Sequence, residues 1–77
     1  MTNSKRVRTY MNDMVVATVN AKYADDGTTI EGFEVHQFDP DANETVERRT
    51  FPATDPLYQA KAFIYANLCV DAPYQIF

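Results

Sequence analysis

The chain has 77 residues, a formal net charge of −4 and a single cysteine, Cys69. That length bounds one domain with one modest core. The lone thiol excludes an internal disulfide, and the lone histidine, His36, excludes the usual zinc ligand sets. Chains this short often lean on disulfides, a metal or association, and association is the one of these left. The alternative is a core that suffices alone, built from an apolar fraction of 45% with five Phe and five Tyr. The free thiol fits a reducing, cytoplasmic setting. No apolar run follows Lys5-Arg6-Val7-Arg8, so no signal peptide is expected. The longest apolar segment is shorter than the roughly 20 residues that span a bilayer, so no membrane partner is expected.

Residues 1–10 hold Lys5, Arg6 and Arg8 and no acid, a charge of +3, whereas residues 11–77 hold four basic and eleven acidic residues, a charge of −7. Without an apolar period, 1–10 reads as a flexible basic arm or as the lead-in to a strand. Residues 11–77 read as one β-β-β-α domain. From Met14 to Tyr23, Val15, Ala17, Val19, Ala21 and Tyr23 alternate with Val16, Thr18, Asn20 and Lys22, the period of two that marks a strand with one apolar face. Asp25-Asp26-Gly27 supplies a turn, because Gly27 can take a positive φ. The second strand runs from about Thr29 to Phe38, with Phe33 and Val35 on one face and Glu34 and His36 on the other. Ile30 is out of register unless Gly32 marks a bulge. Asp39-Pro40-Asp41-Ala42-Asn43 forms the next turn. The third strand, about Glu44 to Phe51, is polar and charged, as suits a guarded edge.

Asp55 then caps a helix with Pro56 in its first position. Of the 14 residues from Leu57 to Val70, only Gln59, Lys61 and Asn67 are polar. A helix on one sheet needs a single apolar stripe, so another surface is expected to cover the second side. Leu57, Ala60, Ile64 and Leu68, spaced by three, four and four, form the expected core stripe. Tyr58, Tyr65 and Cys69 share another face, which reads either as a partner-binding patch or as a surface covered by the tail Tyr74-Gln75-Ile76-Phe77. The predicted class is α+β: a three-stranded antiparallel meander with one helix across a face and a short C-terminal tail.

Chemistry-bearing motifs are scarce. Asp39-x-Asp41-x-Asn43 opens like a calcium loop, but the sixth and twelfth positions are Glu44 and Thr50 where Gly and Glu are needed. Gly27 and Gly32 are the only glycines, so no phosphate loop is present. Cys69 lies near a helix C-terminus, where the dipole disfavours a thiolate. His36 has no nucleophile in a recognisable setting. No enzyme activity, no metal and no cofactor are expected. Between residues 23 and 47 stand eight acids and no Lys or Arg. Solvated turns account for them, and so would a surface built to attract a basic partner. Glu31, Glu34, Asp41 and Glu44 are the candidates on that second account. Direct nucleic-acid binding through three arm charges is opposed by the acidic body.

With the acidic span from Asp25 to Glu47 and the helix from Pro56 to Val70, the chain resembles in outline small phage-encoded accessory proteins, among them anti-CRISPR inhibitors. The resemblance implies a stoichiometric blocker docked on a host protein or effector complex. The expectation is therefore a non-enzymatic interaction module, an inhibitor or adaptor that binds a protein through Tyr58, Tyr65 and Cys69, through the acidic hairpin, or through both. Two alternatives stand beside it. One is an acidic decoy that mimics nucleic acid for a nucleic-acid-binding protein. The other is a homodimeric regulatory or structural domain.

Overall fold

The structure is a computed structural model that describes residues 3–71. Four strands, β1 (Asn3–Met11), β2 (Val16–Tyr23), β3 (Ile30–Asp39) and β4 (Glu44–Pro52), precede one helix, α1 (Tyr58–Asp71). The strands form an antiparallel sheet in the order β1-β2-β3-β4, and α1 lies across one face. The expected tail, Tyr74–Phe77, falls outside the described residues.

The α+β class with an antiparallel sheet and a C-terminal helix holds, but the sheet has four strands, not three. Asn3–Met11 is a strand and not an arm. It pairs with β2 from Asn3↔Tyr23 to Met11↔Val16, with an irregularity between Arg6 and Arg8 that leaves Val7 as the extra residue. Its residues are exposed except for half-buried Tyr10, so the burial that would write an apolar alternation into the sequence is missing. The turn into β2 is made by Asn12, whose Oδ1 accepts from the N–H groups of Met14 (2.8 Å) and Val15 (2.9 Å).

β2 and β3 carry the core. Ala17, Val19 and Val35 are fully buried, with Ala21 and Phe33 nearly so. All lie on the faces that alternation assigns to them. Gly32 marks the bulge: Lys22 pairs with Gly32 and Tyr23 with Ile30, so Glu31 is the extra residue and Ile30 returns to the core side. A Cβ at Gly32 would stand 2.6 Å from the carbonyl oxygen of Phe51, so β3 and β4 approach there as only glycine permits. In the β2–β3 turn Gly27 has φ 75°, and in the β3–β4 turn Asn43 has φ 55°. Asp39 Oδ1 organises that second turn by accepting from Asp41 N–H (2.9 Å) and Ala42 N–H (3.2 Å).

Asp55 opens α1. Its Oδ1 accepts from Leu57 N–H at 2.9 Å and its Oδ2 pairs with Lys61. These contacts, the Lys61 hydrogen bond foremost, hold its carboxyl below the usual range. At the far end Asn12 Nδ2 donates to the carbonyl of Val70, one of the acceptors that a helix terminus leaves without an intrahelical partner. The β1–β2 turn and the end of the helix are thus tied by one side chain.

The stripe that seats α1 is not the expected one. Leu57, Ala60, Ile64 and Leu68 face away from the sheet, whereas Ala62, Ala66 and Cys69 are buried against it. The reason is spacing. Ala62, Ala66 and Cys69 cluster with Ala17, Val19, Ala21, Phe33 and Val35, so the helix supplies small side chains where the two layers meet. Leu or Ile in the seat would hold them apart.

Candidate functional site

Each flank of α1 is closed by aromatic rings and an arginine. On the β4 side Tyr65 packs on Phe51 with ring centroids 5.8 Å apart. The Arg49 guanidinium covers both, 5.1 Å from Tyr65 and 5.6 Å from Phe51. On the β1 side Phe63 meets Phe33 edge-on at 5.7 Å, and Arg8 lies 5.6 Å from Phe63 and 5.9 Å from Tyr10. Arg8 pairs with Val19 and Arg49 with Val35, so both rise from the helix side of the sheet. Their stems lie along apolar surface while the charges reach water. Four strands are wider than one helix, and these two edge-strand arginines fill the margins.

The outward face stays open. Leu57 and Ile64 are each 60% exposed and Leu68 is 55% exposed. They span about 40° around the helix axis, with Ala60 and Lys61 between them along it. On the β4 side this ridge descends into a shallow groove lined by Arg49, Phe51, Lys61, Ile64, Tyr65 and Leu68. The groove offers aliphatic carbon, an aromatic ring and a guanidinium in one place, the side-chain mixture that dominates interface energetics.

The residues expected to bind a partner sit elsewhere. Tyr58 is half-buried and stacks edge-on against Phe33 at 5.3 Å. Tyr65 is half-buried, and its hydroxyl donates to Glu47 at 2.6 Å. Burial first, and then that hydrogen bond, push the phenol above the ordinary tyrosine range. Cys69 is 1% exposed and its thiol faces Gln37 Oε1 at 3.5 Å. Burial raises this thiol, which suppresses the nucleophilic thiolate. The face of Tyr58, Tyr65 and Cys69 is therefore the seat of the helix, and only the rim of Tyr65 reaches the groove.

The acidic candidates are not gathered. Glu31 lies at the β2–β3 end of the sheet, whereas Asp41 and Glu44 lie at the β3–β4 turn. The eight-residue rise of β3 from Glu31 to Asp39, about 27 Å, separates the two ends. Glu34 projects between them on the open sheet face. It bonds His36, accepts from Thr50 at 3.4 Å and lies 3.7 Å from Lys22. The His36 hydrogen bond is the largest of the effects that lower its carboxyl. Among the described residues no group of three or more His, Cys, Asp and Glu could hold a metal, and no helix is long and apolar enough to cross a membrane.

Sequence reasoning missed the ridge because nearly every position of α1 is apolar. The signal that separates its two faces is size. Ala62 and Ala66, spaced by four, are buried in the core, and the large aliphatics fall on the outward face. The chain matches no protein-family model, and no curated protein and no solved structure is significantly similar to it.

Proposed function

We propose that this protein is a small, non-enzymatic interaction module, an inhibitor or adaptor, that docks on a protein surface through the outward ridge of α1. One observation carries this reading: Leu57, Ile64 and Leu68 form an exposed aliphatic row in helical register, although the same helix has buried positions filled by alanine and cysteine. A helix selected only to cover its sheet would put water-compatible side chains there. Fully burying a Leu or Ile contributes roughly 1.5–3 kcal/mol, so a little over half of that is available from each of the three. That sum falls short of the association cost, about 4–15 kcal/mol, and the contact must extend into the groove under Arg49 and Tyr65. The outline shared with small phage-encoded inhibitors favours a blocker over a scaffold. The separated acids Glu31, Glu34, Asp41 and Glu44 favour neither a decoy nor a single acidic docking face.

A photoreactive residue placed at Ile64 tests the proposal in cells that express the protein. A covalent adduct with a protein is expected there and not from the same probe at Asn20, on the open sheet face. Equal labelling at both positions, or none at Ile64, would remove the ridge from consideration.

A further inference from the structure

We infer that the occupant of the α1 ridge is a second copy of this chain, its helix antiparallel to the first across a two-fold axis at Ile64. The inference rests on the reading of the ridge as a docking surface and commits that surface to one occupant, so any blocking or adaptor role would fall to another face of the dimer. Charge points this way. None of the eleven acidic residues of this acidic chain lies between Leu57 and Val70. The one cation of the ridge, Lys61, is already paired with Asp55. On a molecule of net charge −4, this is the face where two copies approach with least repulsion. A basic partner would find its complement elsewhere on the molecule.

Shape agrees with charge. In an antiparallel pair centred on Ile64, residue i of one helix lies level with residue 128 − i of the other. Leu68 of one copy is then level with Ala60 of its partner, and the same contact recurs on the other side of the axis. A large side chain enters the space above a small one, twice. Leu57 falls level with Asp71 of the partner, so the acid that ends each helix stands beside the positive end of the other helix's dipole. The carboxylate already at that end, the N-cap Asp55, is neutralised by Lys61, and the last turn contains no base. Parallel packing would oppose Leu57 to Leu57 and Leu68 to Leu68, and would bring like dipole ends together. A standard interface buries about 800 Å² per partner. That is about 15% of this chain's 5316 Å², which requires the groove beneath Arg49 and Tyr65 as well as the ridge.

Sedimentation equilibrium of the purified full chain, with single-cysteine cross-linking, tests the arrangement. The expected mass is twice the 8.8 kDa of the protomer. Ile64→Glu places two carboxylates face to face on the axis. It is expected to weaken self-association about a hundredfold while leaving the far-ultraviolet circular dichroism unchanged. Mild oxidation of Ile64→Cys is expected to give a covalent dimer. Leu57→Cys is expected to give none, because its two copies would stand about 21 Å apart along the helices. A protein that stays monomeric at every concentration, a dimer that survives Ile64→Glu, or cross-linking at position 57 in preference to 64 would each overturn the antiparallel pair. A monomer whose Ile64 probe captures a different protein would overturn this inference and leave the interaction module standing. A monomer that captures nothing would end both. Dimerisation only after residues 74–77 are removed would assign the face to the chain's own C-terminal residues.

Discussion

Asp26 accepts three hydrogen bonds although its side chain is exposed. Its Oδ1 accepts from Thr28 N–H at 2.9 Å and Thr29 N–H at 2.8 Å, and its Oδ2 accepts from the Thr29 hydroxyl at 2.6 Å. These bonds, the Thr29 hydroxyl first, lower its carboxyl to about 2. A carboxyl held below its unfolded value favours the folded state above the unfolded pKa and loses that advantage as pH falls through the folded one. Asp26→Ala is therefore expected to lower the urea midpoint above about pH 4, with the gap to the parent closing between about pH 4 and 2. Urea titrations of both proteins at intervals across that range would decide it. A gap that stays constant down to pH 2 would mean that the turn is held by Gly27 at φ 75°, and not by the charge.

Among the elements, α1 separates what the sequence makes legible from what it hides. The period of two in Val15, Ala17, Val19 and Ala21, the Asp26-Gly27 turn, the Gly32 bulge and the Asp55-Pro56 helix start are each written in local residue types, because each answers to a local steric or hydrogen-bonding demand. β1 is hidden because an edge strand whose residues are nearly all exposed carries no burial pattern. The orientation of α1 is hidden because hydrophobicity cannot choose a face when both faces are apolar. What chooses is the packing of α1 on β2 and β3, a property of two layers at once: Cys69 is buried in the core with Tyr58 and Tyr65 half-buried beside it, while Leu57, Ala60, Ile64 and Leu68 of the expected core stripe face away. Two substitutions should separate the faces. Ala66→Leu forces side-chain volume into the closed gap and is expected to cost about 1–3 kcal/mol. Ile64→Gln, on the open ridge, is expected to change the stability of the protomer by less than about 0.5 kcal/mol. Denaturant unfolding of both variants, with the Ile64→Gln variant compared at a concentration where the parent is monomeric, measures the contrast. A larger loss at position 64 than at 66 would reverse the assignment of the faces.

For the molecule as a whole, the core is thin. One helix covers one face of the sheet. The other face carries Thr18, Asn20, Lys22, Glu34 and His36, half-buried and polar. The largest fully buried side chains are Val19, Val35 and Cys69, none of them long. A domain of this size buries only about 60% of the surface its unfolded chain exposes, which leaves little surplus over conformational entropy. If a second copy covers the ridge, part of the missing stability comes from association, and stability then depends on concentration by mass action. Each tenfold dilution costs about 1.4 kcal/mol per dimer, or about 0.7 per protomer. For a domain of this size that lowers Tm by roughly 3–6 °C. Thermal unfolding of the parent over a hundredfold concentration range should therefore show a progressive fall on dilution, whereas Ile64→Glu should melt at one temperature throughout. A parent whose Tm does not move over that range, at concentrations where sedimentation finds a dimer, would mean that each protomer is stable alone and that the ridge serves recognition without serving the fold.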